Sequence, residues 1–266
     1  MFKSLVRLLA IVKKELISFF VSPFAYFILA AVTLLGLYFF IQYLSIYNFV
    51  IMQSRSQMMF GTQEGVSLNM FIQGYFKVLL LIFVFFLPMA AMRVFSEEKK
   101  SATFEFLLTS PISTESIVLG KLLGFIMYCT LVVVWLCLPP LSLLFLGELE
   151  TLVVFGNMVG FWLYVVCLGS ISVLISAASG SPITSSVIGM VILLLYYVLG
   201  YSAESLSQSG WENLAAVLKY ISPVEQIEYF LRGAIKLNSV FYFASVMLVA
   251  YLLSVRVIES RRMSKI

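Results

Sequence analysis

Six apolar runs dominate this chain, at about 24–46, 76–95, 121–146, 152–178, 184–203 and 238–257. Each is long enough to cross roughly 30 Å of hydrocarbon as a helix, which takes about 20 largely apolar residues. A bilayer leaves no water for backbone groups, so the spanning form of such a run is a helix. The runs therefore predict an all-α integral membrane protein with six transmembrane helices. Only 11% of residues are charged and 62% are hydrophobic, against about a quarter charged in a soluble domain, so a water-soluble fold is excluded. The third run carries Pro139-Pro140, expected to kink or end it near the far interface. The fourth and fifth are parted only by a turn at Ser179-Gly180-Ser181-Pro182.

Lysine and arginine placement gives the orientation. With both termini in the cytosol, the inner segments hold Lys3, Arg7, Lys13, Lys14, Arg93, Lys99, Lys100, Lys121, Arg256, Arg261, Arg262 and Lys265. The outer segments hold only Arg55, Lys77, Lys219, Arg232 and Lys236. Residues 1–20 show no compact basic start followed by an uninterrupted apolar core, so no cleavable signal peptide is expected. Leu5, Leu8, Leu9, Val12, Leu16 and Phe19 recur at helical spacing opposite the basic residues, predicting an amphipathic helix in the cytosolic interface. A merely basic leader would explain the charge but not that stripe.

Two segments are expected outside. Residues 47–75, rich in Gln, Ser, Asn and Met, read as a modest exposed loop. Residues 204–237 keep a helical apolar period from Trp211 to Leu231 across Ser222-Pro223, predicting two short re-entrant helices that dip into the outer leaflet.

Chemistry is sparse. Asp and His are absent, which removes His-based acid–base pairs, Ser/His/Asp triads and His-containing metal sites. Cys129, Cys137 and Cys167 lie inside apolar runs and read as small buried hydrophobes. No GxxxxGK[ST] loop, HExxH, CxxC or GxSxG occurs, so no catalytic, metal or cofactor site is expected in this chain. Gly120-x3-Gly124 and Gly156-x3-Gly160 read as close helix packing, like the small residues from Gly169 to Gly180. Glu228 and Arg232 stand four apart on one helix face and either pair or meet a substrate head group near a cavity mouth. Tyr38 and Tyr196 lie deeper in their spans than the other tyrosines there and are candidates to line a route.

The informative polar stretch is 93–121, with four of the thirteen acidic and four of the seventeen basic residues. Arg93 ends the second span, and Glu97, Glu98, Lys99 and Lys100 read as a solvated charge cluster. Thr103 suits the cap of a short helix through Phe104, Glu105, Phe106, Leu107 and Leu108, stopped by Pro111. Ser113 or Thr114 suits the cap of the next, with Glu115 in its first turn. The Phe/Leu helix needs a partner groove, or else folds back on the N-terminal helix or the membrane surface.

These residues carry a resemblance. Pro88-Met89-Ala90-Ala91-Met92-Arg93, Glu97-Glu98-Lys99-Lys100, Thr103 to Leu108, Pro111-Ile112-Ser113 and Gly120-Lys121 resemble the signature of ABC-2-type transporter permeases. The KKEL at Lys13–Leu16, Ser22-Pro23 and the late Ser222-Pro223 and Arg232-Gly233 elements fit across essentially the whole chain. The tail SPVEQIEYFLRGAIKLNSVFYF is most similar to the gliding-motility-associated branch. Ala102 stands where the family often has Gly before the Thr. The resemblance implies a non-catalytic permease subunit of an ATP-driven exporter in a bacterial inner membrane. It implies that residues 103–108 couple to a separate ABC ATPase, present in two copies, which binds ATP and Mg. It implies a second permease, identical or homologous, a route lined by the first, second and fifth spans, and an N-terminal elbow helix. A membrane protein with a large outer domain is a further implied partner; nucleic acid is not. A different reading is an ATPase-driven mechanical or scaffolding complex that acts on an outer-face partner without moving a solute.

Overall fold

A computed structural model describes residues 2–57, 68–100, 113–146, 150–208 and 211–263. Among these the fold is all helix. Helix α1 spans Phe2–Val21, α2 Pro23–Gln57 and α3 Leu68–Met92, the last continuing through a π-helical turn at Arg93–Glu97 to Lys100. Helix α4 spans Thr114–Ser142 with a 3-10 turn after it, α5 Thr151–Ala178 and α6 Pro182–Gln208. Two short helices follow, α7 at Glu212–Ile221 and α8 at Pro223–Leu231, before α9 at Leu237–Met263. Six of these, α2 to α6 and α9, are long and apolar enough to cross a membrane.

The helices overrun the apolar runs. Most of the loop expected at 47–75 is helix, because α2 continues to Gln57 and α3 starts at Leu68. Aromatic residues hold these extensions, with Tyr47 packed edge-on to Phe71 at 5.1 Å. Polarity was the wrong guide there: a helix end beyond the hydrocarbon needs helical backbone but no apolar composition. Lys77 sits well inside α3. The polar stretch 93–121 is likewise entered by helix from both sides, since α3 reaches Lys100 and α4 begins at Thr114. Helix α4 runs through Pro139 and Pro140 and ends two residues later.

Helices α3, α4 and α5 form the centre and bury most of their apolar length, whereas α2 and α6 are mostly uncovered and flank α3. Phe76 and Phe83 pack edge-on to Phe161 of α5, at 5.7 and 5.0 Å. Two serine hydroxyls of α5 are satisfied within their own helix, as Ser170 donates to Val166 O at 2.7 Å and Ser172 to Leu168 O at 2.9 Å. That local bond lets a serine face a partner helix without an orphaned donor.

The two glycine pairs receive the helices too short or too polar to span. Helix α1 lies against α4, where a Cβ on Gly120 would stand 2.8 Å from Ile11 and one on Gly124 2.7 Å from Glu15 Cβ. Val12, Glu15 and Phe19 form the buried stripe of α1, and Phe19 stacks on Tyr128 at 4.7 Å. Leu9, Ile17 and Phe20 stay exposed, so α1 keeps a second apolar face. Helix α8 lies against Gly156 and Gly160 of α5, beside Phe230. Its start is capped by Ser222, whose Oγ accepts from the Glu225 N–H at 3.4 Å, with Pro223 in the first turn.

Candidate functional site

At the end of α3 the backbone widens into the π-helical turn Arg93–Glu97, and Ser176 of α5 fixes it. Ser176 Oγ accepts from the Phe95 and Ser96 N–H groups, both at 3.2 Å, while Ser96 Oγ donates to Ser176 O at 2.9 Å. A π turn misaligns the helical ladder, and such turns recur at functional sites. Here the misalignment has a use. The Glu98 N–H donates to Phe95 O, and Val94 O turns to a lysine on the neighbouring helix.

That lysine is Lys121 of α4, 1% exposed. Its Nζ donates to Val94 O at 2.7 Å and to Glu15 Oε1 at 2.6 Å, and Glu98 Oε2 stands 2.9 Å away as a second counter-ion. The Phe95 ring lies under it, 5.2 Å to the centroid. An unpaired ammonium at this depth would lose several kcal/mol of hydration, so the paired carboxylates are a condition of its burial. Lys14 faces Glu98 from the exposed side at 3.5 Å. One ion set thus joins α1, α3 and α4.

The adjacent residues reach other elements. Arg93 donates to Glu97 at 2.7 Å and to Ser22 Oγ, tying the turn to the α1–α2 corner. Lys99 Nζ donates to Ser179 O at 2.9 Å and to Ala177 O, and Arg261 of α9 donates to Ala178 O. Two basic side chains therefore cap the C-terminus of α5 by donating to its last carbonyls. Of the cluster expected to be solvated, Glu97 stays half exposed while it holds Arg93, whereas Glu98 and Lys99 are engaged with α4 and α5. Arg93, Glu98 and Lys99 lead to the α1–α2 corner, to α4 and to the end of α5, just before 101–112 begins.

Replacing Ser176 by Ala removes the acceptor of two buried N–H groups. The expected loss is of order 1–2 kcal/mol, since a buried unsatisfied donor forfeits its desolvation energy. It is read as a lowered Tm with faster hydrogen exchange at Phe95 and Ser96; an unchanged exchange rate would rule out the clamp.

A cavity of about 120 Å³ lies at the other end of α3, between Lys77 and Leu80 of α3, Tyr197 and Gly200 of α6, and Glu225 and Glu228 of α8. Lys77 and Arg93 are sixteen residues apart on α3, roughly 24 Å at 1.5 Å per residue. Glu228 accepts from Arg232 at 3.0 Å and faces Lys77 at 3.7 Å.

Compared with models of known families, the chain matches over residues 9–258 the one described as ABC-2 family transporter protein. The chain belongs to the ABC-2 transporter family. No curated protein matches it. It is a multi-pass membrane protein and the permease component of an ABC transporter, a kind of subunit that works with an ABC ATPase.

The residues assigned to coupling in this permease, Thr103, Phe104, Glu105, Phe106, Leu107 and Leu108, lie outside the described residues. The four route candidates do not come together. Tyr38 is exposed on α2 and accepts from Gln42 at 3.1 Å. Tyr196 is tied up in packing: Tyr242 donates its single proton to Ile221 O, so Tyr196 donates to Tyr242, joining α6, α9 and the end of α7. Its neighbour Tyr197 walls the cavity instead. Only Glu228 and Arg232 share a site. Sequence reasoning missed Lys77 as a partner of Glu228 and Glu15 as the partner of Lys121. For Glu15 a signal existed, because it stands three after Val12 and four before Phe19, on the same face.

Proposed function

We propose that this permease is the membrane half of an ATP-driven exporter in the bacterial cytoplasmic membrane, with both termini on the ATPase side. The ion node at the end of α3 carries the proposal. A push arriving through residues 103–108 reaches Lys99, Glu98 and Glu97 first; Lys99 holds α5, Glu98 holds α4, and Glu97 holds Arg93, which reaches the α1–α2 corner. The positive character of that end, with Lys13, Lys14, Lys99, Lys100, Arg261 and Arg262, supports the cytosolic assignment. In this reading α1 is the elbow helix in the inner interface, and α7 and α8 dip into the outer leaflet. Two ATPase copies, binding ATP and Mg themselves, serve this chain and a second permease, identical or homologous. The mostly uncovered α2 and α6, flanking α3, supply the faces along which the second permease packs.

The test replaces Phe104, Phe106 and Leu107 together by Ser. ATPase recovered on the affinity-tagged chain should fall about tenfold, the effect of roughly 1.4 kcal/mol of lost docking, with membrane insertion unchanged. Full recovery with unaltered ATP hydrolysis would refute the coupling role.

A second reading follows from the tail's resemblance to gliding-motility permeases. Leu34, Leu37, Ile41, Val187, Val191 and Leu195 expose an apolar surface on α2 and α6, which suits a dry interface that transmits force. ATP-driven uptake of solute into vesicles carrying the assembled complex, inverted so that its ATPase faces out, separates export from mechanical work on an outer-domain partner.

A further inference from the structure

We propose that the cavity between α3, α6 and α8 binds a zwitterionic headgroup in which a primary ammonium is linked by a short chain to a phosphate. Its walls carry both signs. Glu225 and Glu228 stand three apart on one face of α8, Lys77 lies across from them on α3, and Arg232 flanks Glu228 at 3.0 Å. A bare anion meets two carboxylates there, and a bare cation meets Lys77 with Arg232 beside it. A neutral apolar ligand would strip water from these charges and return nothing. A zwitterion answers both: its ammonium donates to Glu225 and Glu228, and its phosphate accepts from Lys77. The site keeps its net charge, and charge-assisted bonds are exchanged, not lost.

The geometry leaves room for that exchange. Lys77 and Glu228 are 3.7 Å apart, beyond hydrogen-bond length, and the lysine side chain is half exposed, so opening the pair breaks no short bond. The cavity of about 120 Å³ has room for a small headgroup. Leu80 and Tyr197 give the cavity an apolar wall beside its charged one. Nearby α7 exposes Trp211, Leu214, Val217 and Tyr220, a surface on which acyl chains can lie. The ligand is thus either the headgroup of a lipid or the same group free in solution. Its binding depends neither on ATP coupling nor on transport direction.

The test uses the full chain in non-ionic detergent micelles. Phosphatidylethanolamine and phosphatidylglycerol of matched acyl chains are offered together, and retained lipid is counted by native mass spectrometry. Water-soluble glycerophosphoethanolamine is the competitor in a second arm. The ethanolamine lipid should be retained about tenfold over the glycerol lipid, a discrimination of roughly 1.4 kcal/mol. Lys77→Gln and Glu228→Gln should each bring that ratio to within about twofold, while Arg256→Gln at the far end leaves it unchanged. Should Glu228→Gln fail to fold, Glu225→Gln replaces it. Displacement of the lipid by the soluble competitor identifies recognition of the group alone, and resistance to it identifies the lipid as source. Equal retention of the two lipids together with no binding of the competitor overturns the proposal, as does a preference that survives Lys77→Gln and Glu225→Gln alike.

Discussion

Lys121→Ala should destabilise this permease by about 3–5 kcal/mol, the penalty for removing one partner of a buried ion set. The substitution leaves Glu15 and Glu98 near one another with no cation between them, in a site where the ammonium is 1% exposed. It also orphans Val94 O, which the π turn has turned toward Lys121. The loss should appear as a fall in Tm of order 10 °C, at about 2–4 °C per kcal/mol for a chain of this size. A combined Lys121→Met, Glu15→Leu and Glu98→Leu variant should recover most of that stability, because a packed apolar replacement of a buried ion set is often neutral or better. It should not recover function, since the connection between α1, α3 and α4 is then unspecific grease. ATP hydrolysis that responds normally in this triple variant would show the node to be structural only. A Lys121→Ala protein with the original Tm would show that the ions contribute no stability.

The spans were legible because hydropathy is a property of local sequence, whereas the node was not. Nothing in Arg93-Val94-Phe95-Ser96-Glu97 announces a π turn: there is no Gly or Pro, and the clamp is Ser176, eighty residues from Ser96. Lys121 reads as a basic residue at a span's entrance, free to extend toward water. Its burial follows from α1 lying across Gly120 and Gly124, a tertiary event. The charge cluster was found in sequence but its state was misjudged, because solvation of Glu98 and Lys99 is decided by the neighbours α4 and α5. The short helices α7 and α8 were visible from periodicity and from Ser222-Pro223. Which face of them packs was not: among the side chains of α7 only Ala215 is buried, and its apolar stripe points outward.

Gly160→Leu should cost about 3 kcal/mol, the upper end of overpacking in a filled core. A Cβ at this position would stand 2.4 Å from Phe230 Cβ and 2.9 Å from its ring, and at Gly156 it would meet Phe230 O at 2.9 Å. Helix α8 can therefore not stay seated. Its displacement also breaks the bond from Asn157 Nδ2 to Leu231 O at 3.1 Å, which pins the end of α8 to α5. Phe230→Ala alone should cost about 3–5 kcal/mol through the cavity it leaves. Together the two changes exchange volume across one contact, so the double variant should lose at least about 2 kcal/mol less than the sum of the singles, well beyond the scatter of independent sites. Chemical denaturation of the purified chain in micelles measures all three. Strict additivity would mean that the introduced leucine side chain and Phe230 do not compete for one space, and that α8 is held by something other than the glycine face of α5. ATPase recovery with Gly160→Leu should stay normal in either case, because the disturbed contact joins α8 to α5 and leaves residues 103–108 untouched. A release of the ATPase by this substitution would instead mean that the seating of α8 and the docking helix are two ends of one moving body.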